Sequence, residues 1–233
     1  MTVRHLDRPG PIRAVLFDFH STLVDQGDPR AWLDLAWAHA GRSGTAAEGL
    51  GQQRFDDLAR WLNHVWEHVT EVDPRNERDL SPTRHRQVYD ALMERVPGGT
   101  EDLEQALYEV MLEVWMPYDD AVPTLRALKA RGLRTALVSN VGADIRPVLE
   151  RAGLGGLFDA IILSYEVGSV KPAAAIFEKA LAALDVAPAN ALMVGDNWTD
   201  DSGAARLGVR TLLLPRTSGV THGLELVLRL VGP

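Results

Sequence analysis

Four polar side chains in this sequence have the types that phosphoryl chemistry needs. They are two carboxylates, a hydroxyl and an ammonium, at Asp18, Asp196, Ser139 and Lys171. Two carboxylates can hold Mg²⁺ through oxygen ligands, and a carboxylate can also act as a nucleophile toward phosphorus. The lysine and the serine would neutralise and position phosphoryl oxygens. Each residue alone has an ordinary alternative as a turn residue, a helix cap or a solvated charge, so their placement in the fold matters.

Three of these side chains come directly after apolar runs that predict buried strands. The first predicted strand covers residues 12–17, and its unbroken apolar run, residues 14–17, leads into Asp18 and is typical of a strand buried on both faces, as in a parallel sheet. Ser139 and Asp196 follow two further runs of this kind, while Lys171 precedes a helix-like segment. Because the carboxyl ends of parallel strands meet at one edge, we expect these residues to converge on one crevice.

The sequence after residue 116 alternates between strand-like and helix-like segments. Predicted strands cover residues 133–138, 160–163, 191–194 and 211–214, and predicted helices cover residues 121–130, 144–152, 173–184, 201–207 and 224–231. Strands separated by helices of this length indicate right-handed crossovers and a parallel sheet. The expected fold class is therefore α/β, with a Rossmann-like parallel-sheet core.

The sequence between residues 25 and 116 has helix-like patterns throughout. Two segments begin with a polar cap residue followed by proline, at Asp28 and Ser81. Residues 55–69 carry apolar side chains at three- and four-residue spacings, which predicts one continuous helix. We therefore expect an α/β core domain formed by residues 1–24 and 117–233, and an all-helical cap domain formed by residues 25–116.

Together these motifs resemble those of the haloacid dehalogenase (HAD) superfamily. Residues 17–23 (FDFHSTL) look like its first motif, residues 137–140 (LVSN) like its second, residues 170–172 (VKP) like its third, and residues 194–204 (VGDNWTDDSGA) like its fourth. The helical segment lies where some members carry a cap after the first motif. The resemblance covers essentially the whole chain and is specific as a set.

The resemblance implies Mg²⁺-dependent hydrolysis of a small phosphorylated metabolite. The phosphoryl group would pass from the metabolite to water through a phosphoaspartyl intermediate on Asp18. Ser139, Asn140 and Lys171 would bind the substrate. The implied metal ligands are Asp18, the backbone carbonyl of His20, Asp196 and Asp200.

The second acid of the fourth motif is open between two neighbouring residues, Asp200 and Asp201. It would lie near the metal or Lys171. Its spacing to Gly203 favours Asp200.

His20 departs from the superfamily's usual pattern, in which phosphatases carry a second Asp that protonates the leaving group and then activates water. An imidazole has an ordinary pKa of about 6.5, which a nearby Mg²⁺ would lower. Neutral imidazole could serve as a base but is a poor acid. We therefore expect a preference for acyl or aryl phosphates over sugar phosphates; the alternative is that His20 only hydrogen-bonds locally and the enzyme is feeble.

Two other functions compete with a phosphatase. Haloacid dehalogenases of the superfamily also lack an Asp at the position of His20, and Asn197 is similar to an Asn of their fourth motif. They need no Mg²⁺, however, and usually lack the acid that stands here as Asp196. The other rival is a weakly active or non-catalytic binding protein with this fold.

Composition narrows the range of partners. The chain has 233 residues, a formal net charge of −8 and no cysteine, which argues against a general nucleic-acid binder and against disulfides. It has no apolar run long enough to span a membrane and no secretory signal at its start. We expect a cytoplasmic protein, monomeric or homodimeric, that binds neither nucleic acid nor membranes.

Overall fold

The computed structural model describes residues 10–96 and 98–232. Within them the strands are β1 (Ala14–Phe17), β2 (Val24–Asp25), β3 (Met116–Pro117), β4 (Arg134–Ser139), β5 (Ala160–Leu163), β6 (Ala191–Gly195) and β7 (Arg210–Leu213). Five of these form a parallel sheet in the order β5-β4-β1-β6-β7. The predicted α/β fold class is thereby confirmed.

Helices cover both faces of the sheet and fill the segment between β2 and β3. The α-helices are α1 (Pro29–His39), α2 (Ala46–Leu50), α3 (Gln52–Asn63), α4 (Val65–Val72), α5 (Pro82–Met93), α6 (Glu101–Val110), α7 (Ala121–Ala130), α8 (Arg146–Arg151), α9 (Ser164–Val167), α10 (Ala174–Leu184) and α11 (Glu225–Leu230). Short 3₁₀ helices cover Glu77–Leu80, Met111–Val114, Pro188–Asn190 and Asp201–Leu207. No helix in the described part of the chain is long and apolar enough to cross a membrane.

Strand β1 lies in the middle of the sheet, and both of its faces are covered. Ala14 and Leu16 belong to the apolar cluster that includes Phe177 of α10. Val15 and Phe17 belong to the opposite cluster, which continues into the helices between β2 and β3. All four strand residues are fully buried, which explains why the sequence here is an unbroken apolar run rather than an alternation.

The predicted single helix over residues 55–69 is wrong, because the structure has two helices, α3 and α4, in this region. The helix is interrupted at His64, whose backbone has φ −109° and ψ 17°. Leu62 before the break and Val65 after it are both buried. The apolar stripe therefore continues across the break, so spacing alone does not reveal it.

The helical insertion, residues 26–115, is joined to the sheet by a short antiparallel ladder. Val24 pairs with Pro117, and Asp25 pairs with Met116. The chain thus leaves and re-enters the core through paired strands at the same place where the sequence pattern changes. The division into core and cap domains at residues 24/25 and 116/117 remains a prediction.

The helical insertion also contacts the core near the start of α9. Ser164, at the start of α9 and fully buried, donates from its hydroxyl to the carbonyl oxygen of Asp79 at 2.6 Å. The same hydroxyl accepts from the backbone N–H of Val141 at 2.8 Å. Gly142 allows close approach here, since a Cβ on it would lie 2.5 Å from the carbonyl oxygen of Arg78.

We expect Ser164→Ala to lower the free energy of unfolding by about 1–3 kcal/mol, because it leaves a buried carbonyl and a buried N–H without their partner. Urea denaturation at pH 7 measures this difference. Ser202→Ala, at an exposed serine, is the matched control and should change stability by no more than about 0.5 kcal/mol. Equal stability of the two variants would contradict this role for Ser164.

Candidate active site

Asp18 lies just beyond the carboxyl end of β1, where the sheet still holds its backbone. Its N–H donates to the carbonyl oxygen of Val194 at 2.9 Å, and its carboxylate is almost completely buried. Thr22, four residues on, donates from its hydroxyl to Asp18 Oδ2 at 3.1 Å. The apolar strand therefore delivers one carboxylate, in a defined orientation, to the edge of the sheet.

Lys171 links two buried carboxylates. Its ammonium lies 2.6 Å from Asp18 Oδ1 and 2.7 Å from Asp201 Oδ1, and only 2% of the residue is exposed. Although burial opposes the charged form, the carboxylates of Asp18 and Asp201 raise the pKa of Lys171. The lysine therefore stays protonated and positions one oxygen of Asp18.

Asn140 explains how Lys171 is held in place. The side-chain carbonyl of Asn140 accepts from the backbone N–H of Lys171 at 2.7 Å, and its Nδ2 donates to the backbone carbonyl of Lys171 at 3.1 Å. The Lys171–Pro172 peptide bond is cis. Asn140, directly after β4, thus holds the backbone of Lys171 through two hydrogen bonds. The sequence alone does not show this contact.

The third acid, Asp196, completes a cluster of carboxylates. One oxygen of Asp18, one of Asp196 and one of Asp201 all lie within 4.8 Å of one another. Burial, followed by repulsion from Asp18 and Asp201, raises the pKa of Asp196 to about 8. Three carboxylates this close favour an additional cation beside Lys171.

The preference for Asp200 as the second acid of the fourth motif is corrected by this geometry. Asp201 contacts Lys171 and joins the cluster, whereas Asp200 lies at the cavity wall, where its Oδ2 accepts from Asn197 Nδ2 at 3.2 Å. A Cβ on Gly195 would lie 2.0 Å from Asp201 Oδ2, so glycine makes room for this carboxylate. Asp201 is the first residue of the 3₁₀ helix Asp201–Leu207, and its Oδ2 also accepts from the backbone N–H of Asn197 at 3.0 Å.

The cluster fits Mg²⁺. Its donors are carboxylate oxygens, which Mg²⁺ prefers, and Asp196 makes no ion pair with a basic side chain among the described residues. Asp18, Asp196 and Asp201 would supply the side-chain ligands.

His20 occupies a mostly aromatic environment. Its ring lies 4.7 Å from the ring of Trp115 and 5.3 Å from that of Trp66, measured between centroids. Its Nδ1 lies 3.3 Å from the hydroxyl of Ser21, and its buried Nε2 has no hydrogen-bond partner among the described residues. Burial lowers the pKa of His20 to about 4, against a smaller opposing effect of Asp18. The imidazole is therefore neutral at pH 7.

A cavity of about 500 Å³ lies between the sheet edge and the helical insertion. The predicted site residues that line it are Asp18, His20, Asn140, Lys171, Asp196 and Asp200. Ser139, although it lies at the end of β4 and is almost completely buried, is not part of this lining. The structure thus brings six of the predicted site residues to one cavity, and Ser139 is not among the residues that line it.

Several lining residues were not predicted. Most of them come from the helical insertion. They include Trp66, Thr70, Asn76, Arg78, Asp79, His85, Met111, Leu112 and Trp115, together with Arg216 of the core. Their residue types and spacing resemble those of ordinary amphipathic helices and loops. The sequence therefore contains no signal that would single them out.

A parallel-sheet α/β fold with a helical insertion over a buried Asp–Lys pair defines a hydrolase of the HAD type. The family model for haloacid dehalogenase-like hydrolases matches residues 12–208. The chain belongs to this family.

Two relatives that match over most of their length are named for different activities. The chain is 30% identical over 209 residues to (S)-2-haloacid dehalogenase 1 from Pseudomonas sp. strain CBS-3, covering 88% of this chain and 86% of the relative. It is 28% identical over 216 residues to glyceraldehyde 3-phosphate phosphatase from Methanopyrus kandleri, covering 88% and 84%. Other curated relatives match at 36% to 38% identity, but there the chain spans only 40% to 55% of their length.

Solved structures agree on the fold. A magnesium-bound HAD hydrolase from Bacillus subtilis superposes with a TM-score of 0.64 at 20% identity, covering 95% of this chain and 99% of the other. At this identity the likeness shows the fold alone.

We expect Lys171→Met to lower the free energy of unfolding by about 3–5 kcal/mol at pH 8, because it leaves buried carboxylates without their cation. The penalty should shrink as the pH falls toward 5, since an unpaired buried carboxylate favours its protonated form and the folded variant takes up protons. Urea denaturation between pH 5 and pH 8 measures this trend.

Lys179→Met, at an exposed lysine of α10, is the matched control and should differ little from the parent at any pH. A penalty for Lys171→Met that did not change with pH would contradict the carboxylate explanation.

Proposed function

We propose that this HAD-family hydrolase is an Mg²⁺-dependent phosphatase that hydrolyses a small phosphorylated metabolite through a phosphoaspartyl intermediate on Asp18. The observation that carries the proposal is the position of Asp18, held by Lys171 at 2.6 Å at the wall of the cavity and beside a third acid, Asp196.

Asp196 supports phosphate chemistry over dehalogenation. A dehalogenase of this superfamily needs a carboxylate nucleophile but no metal, and a third buried acid next to that nucleophile would only repel it. Burial is the main cause of the raised pKa of Asp196, and repulsion from Asp18 and Asp201 adds to it. A bound divalent cation would turn the same repulsion into attraction. The activity named for the Methanopyrus kandleri relative, a glyceraldehyde 3-phosphate phosphatase, is in line with this choice.

The residues have distinct tasks in the reaction. One carboxylate oxygen of Asp18 attacks phosphorus, an Asp18–phosphorus bond forms, and the bond from phosphorus to the leaving oxygen breaks. Water then attacks the same phosphorus, which releases inorganic phosphate and restores Asp18. Lys171 orients Asp18 and offsets phosphoryl charge. Mg²⁺, when bound, would neutralise charge on the phosphoryl oxygens.

His20 would limit the range of leaving groups. With a pKa of about 4, only about one imidazole in a thousand is protonated at pH 7. Such a group is a poor proton donor to an alkoxide but can accept a proton from water in the second step. The aromatic environment of His20 therefore favours substrates whose leaving group departs without a proton, such as aryl and acyl phosphates.

A 2-haloacid dehalogenase is the second candidate. The observation in its favour is the 30% identity to the Pseudomonas enzyme over most of both chains. In that reaction, Asp18 would attack the halogen-bearing carbon instead of phosphorus. The two candidates differ in their need for a metal and in the ion released.

We expect the protein to release phosphate from aryl phosphates with Mg²⁺ and to lose this activity with EDTA. Asp18→Asn should reduce kcat to below about one thousandth, because the amide is not a nucleophile. Phosphate and chloride assays on aryl phosphates and 2-chloroacids, with and without Mg²⁺, measure both candidate activities. Circular dichroism controls for folding of the variant. Metal-independent chloride release without phosphate release would overturn the proposal in favour of the dehalogenase.

We expect His20→Asp to raise kcat/KM for alkyl phosphates relative to aryl phosphates by about tenfold or more, since a positioned general acid contributes about 10²–10⁴-fold. The ratio, measured at pH 6–7 with Mg²⁺, removes general effects on folding or metal binding. His20→Asn places a side chain of nearly the same shape as aspartate at this position but without an acidic group, and it should leave the ratio unchanged. A similar gain in both variants would show that shape, and not proton donation, limits turnover.

A further inference from the structure

Among the described residues of the helical insertion that line the cavity, Arg78 is the one arginine or lysine. It lies in the short 3₁₀ helix between α4 and α5, and its side chain is 16% exposed. The rest of the wall supplied by the insertion is aromatic, apolar or polar, apart from the buried acid Asp79. The proposed phosphatase reaction does not use this arginine.

Its neighbours hold Arg78 in one orientation. The backbone N–H of Arg78 donates to Asp73 Oδ2 at 2.8 Å, and its Nη1 donates to Asn76 Oδ1 at 2.8 Å. Its Nη2 lies 3.3 Å from Asp79 Oδ2. The carbonyl oxygen of Arg78 packs so closely on Gly142 that a Cβ there would lie 2.5 Å away. The guanidinium is thus positioned before any ligand arrives.

Two donors in this region lack acceptors. Arg78 Nε and Trp66 Nε1 are buried and have no hydrogen-bond partner among the described residues. Both groups can only donate, so a ligand that satisfies them must bring acceptor oxygens. Both residues line the cavity that contains Asp18.

Arg78 lines the same cavity of about 500 Å³ as the proposed nucleophile, Asp18, and its partner Lys171. The guanidinium and the catalytic end of the cavity therefore face one shared space.

We propose that the substrate carries a carboxylate in addition to its phosphoryl group, and that Arg78, with Trp66, binds this carboxylate. The inference rests on the proposed phosphatase function and names its substrate class. A carboxylate matches the planar fork of a guanidinium. A second phosphate, with its larger charge, would lie beside Asp79 and Asp73, 3.3 Å and 3.7 Å from the guanidinium, and would be repelled more strongly.

The test compares carboxyphenyl phosphates with carbamoylphenyl phosphates, each as the ortho, meta and para isomers, in the presence of Mg²⁺. The two series match in shape and differ in one negative charge. We expect the wild-type protein to prefer at least one carboxylate isomer over its amide by about 30-fold or more in kcat/KM. Arg78→Met should remove this preference, chiefly by raising KM, and Arg78→Lys should retain about a tenth of it.

Arg84→Met is the matched control, because Arg84 lies on the exposed side of α5 outside the cavity lining, and it should keep the full preference. No preference in the wild type, or one that survives Arg78→Met, would overturn the proposal. The Arg78→Lys variant keeps the test valid if Arg78→Met is unstable.

Calorimetric binding of the same compounds to Asp18→Asn, with and without Arg78→Met, separates this inference from the function it rests on. If the compounds are bound with the carboxylate preference but none is hydrolysed, the phosphatase proposal fails and the role of Arg78 stands. If they are hydrolysed without the preference, the phosphatase proposal stands and the role of Arg78 fails.

Discussion

The ion pair of Lys171 with Asp18 and Asp201 is the interaction on which the site depends. The ammonium of Lys171 lies 2.6 Å from Asp18 Oδ1 and 2.7 Å from Asp201 Oδ1, and all three side chains are almost completely buried. An unpaired charge in such a place would be strongly destabilising. The lysine therefore fixes Asp18 and Asp201 at the same time. Strand β1, the loop before α10 and the turn after β6 must all be in place before this contact can form.

The surroundings of the ion pair follow from it. Asn140 holds the backbone of Lys171, and Gly195 leaves space for Asp201. With one ammonium shared between two of the three carboxylates, Asp196 has no cationic partner among the described residues, and burial followed by repulsion from Asp18 and Asp201 raises its pKa to about 8. The core therefore provides both a positioned nucleophile and a binding preference for a divalent cation, the two requirements of the proposed chemistry.

The helical insertion supplies much of the rest of the cavity lining, and in the proposed function these residues select the substrate. Trp66 and Trp115 surround His20 and keep its imidazole neutral, while Arg78 adds a positioned cation. Contacts from Ser164 and Gly142 keep this wall against the core. In the proposed reaction, the core determines which bond breaks, and the insertion determines which substrate is accepted.

The parallel α/β core and the approach of Asp18, Asn140, Lys171 and Asp196 could be predicted from the sequence, because buried strands and their polar ends leave strong local patterns. Three other features follow from long-range contacts: Asp201 and not Asp200 meets Lys171, the 55–69 segment is two helices, and Arg78 lines the cavity. In each of these cases neighbouring residues have similar local preferences. The choice between them depends on contacts with segments far away in the chain, such as Lys171 or Gly142.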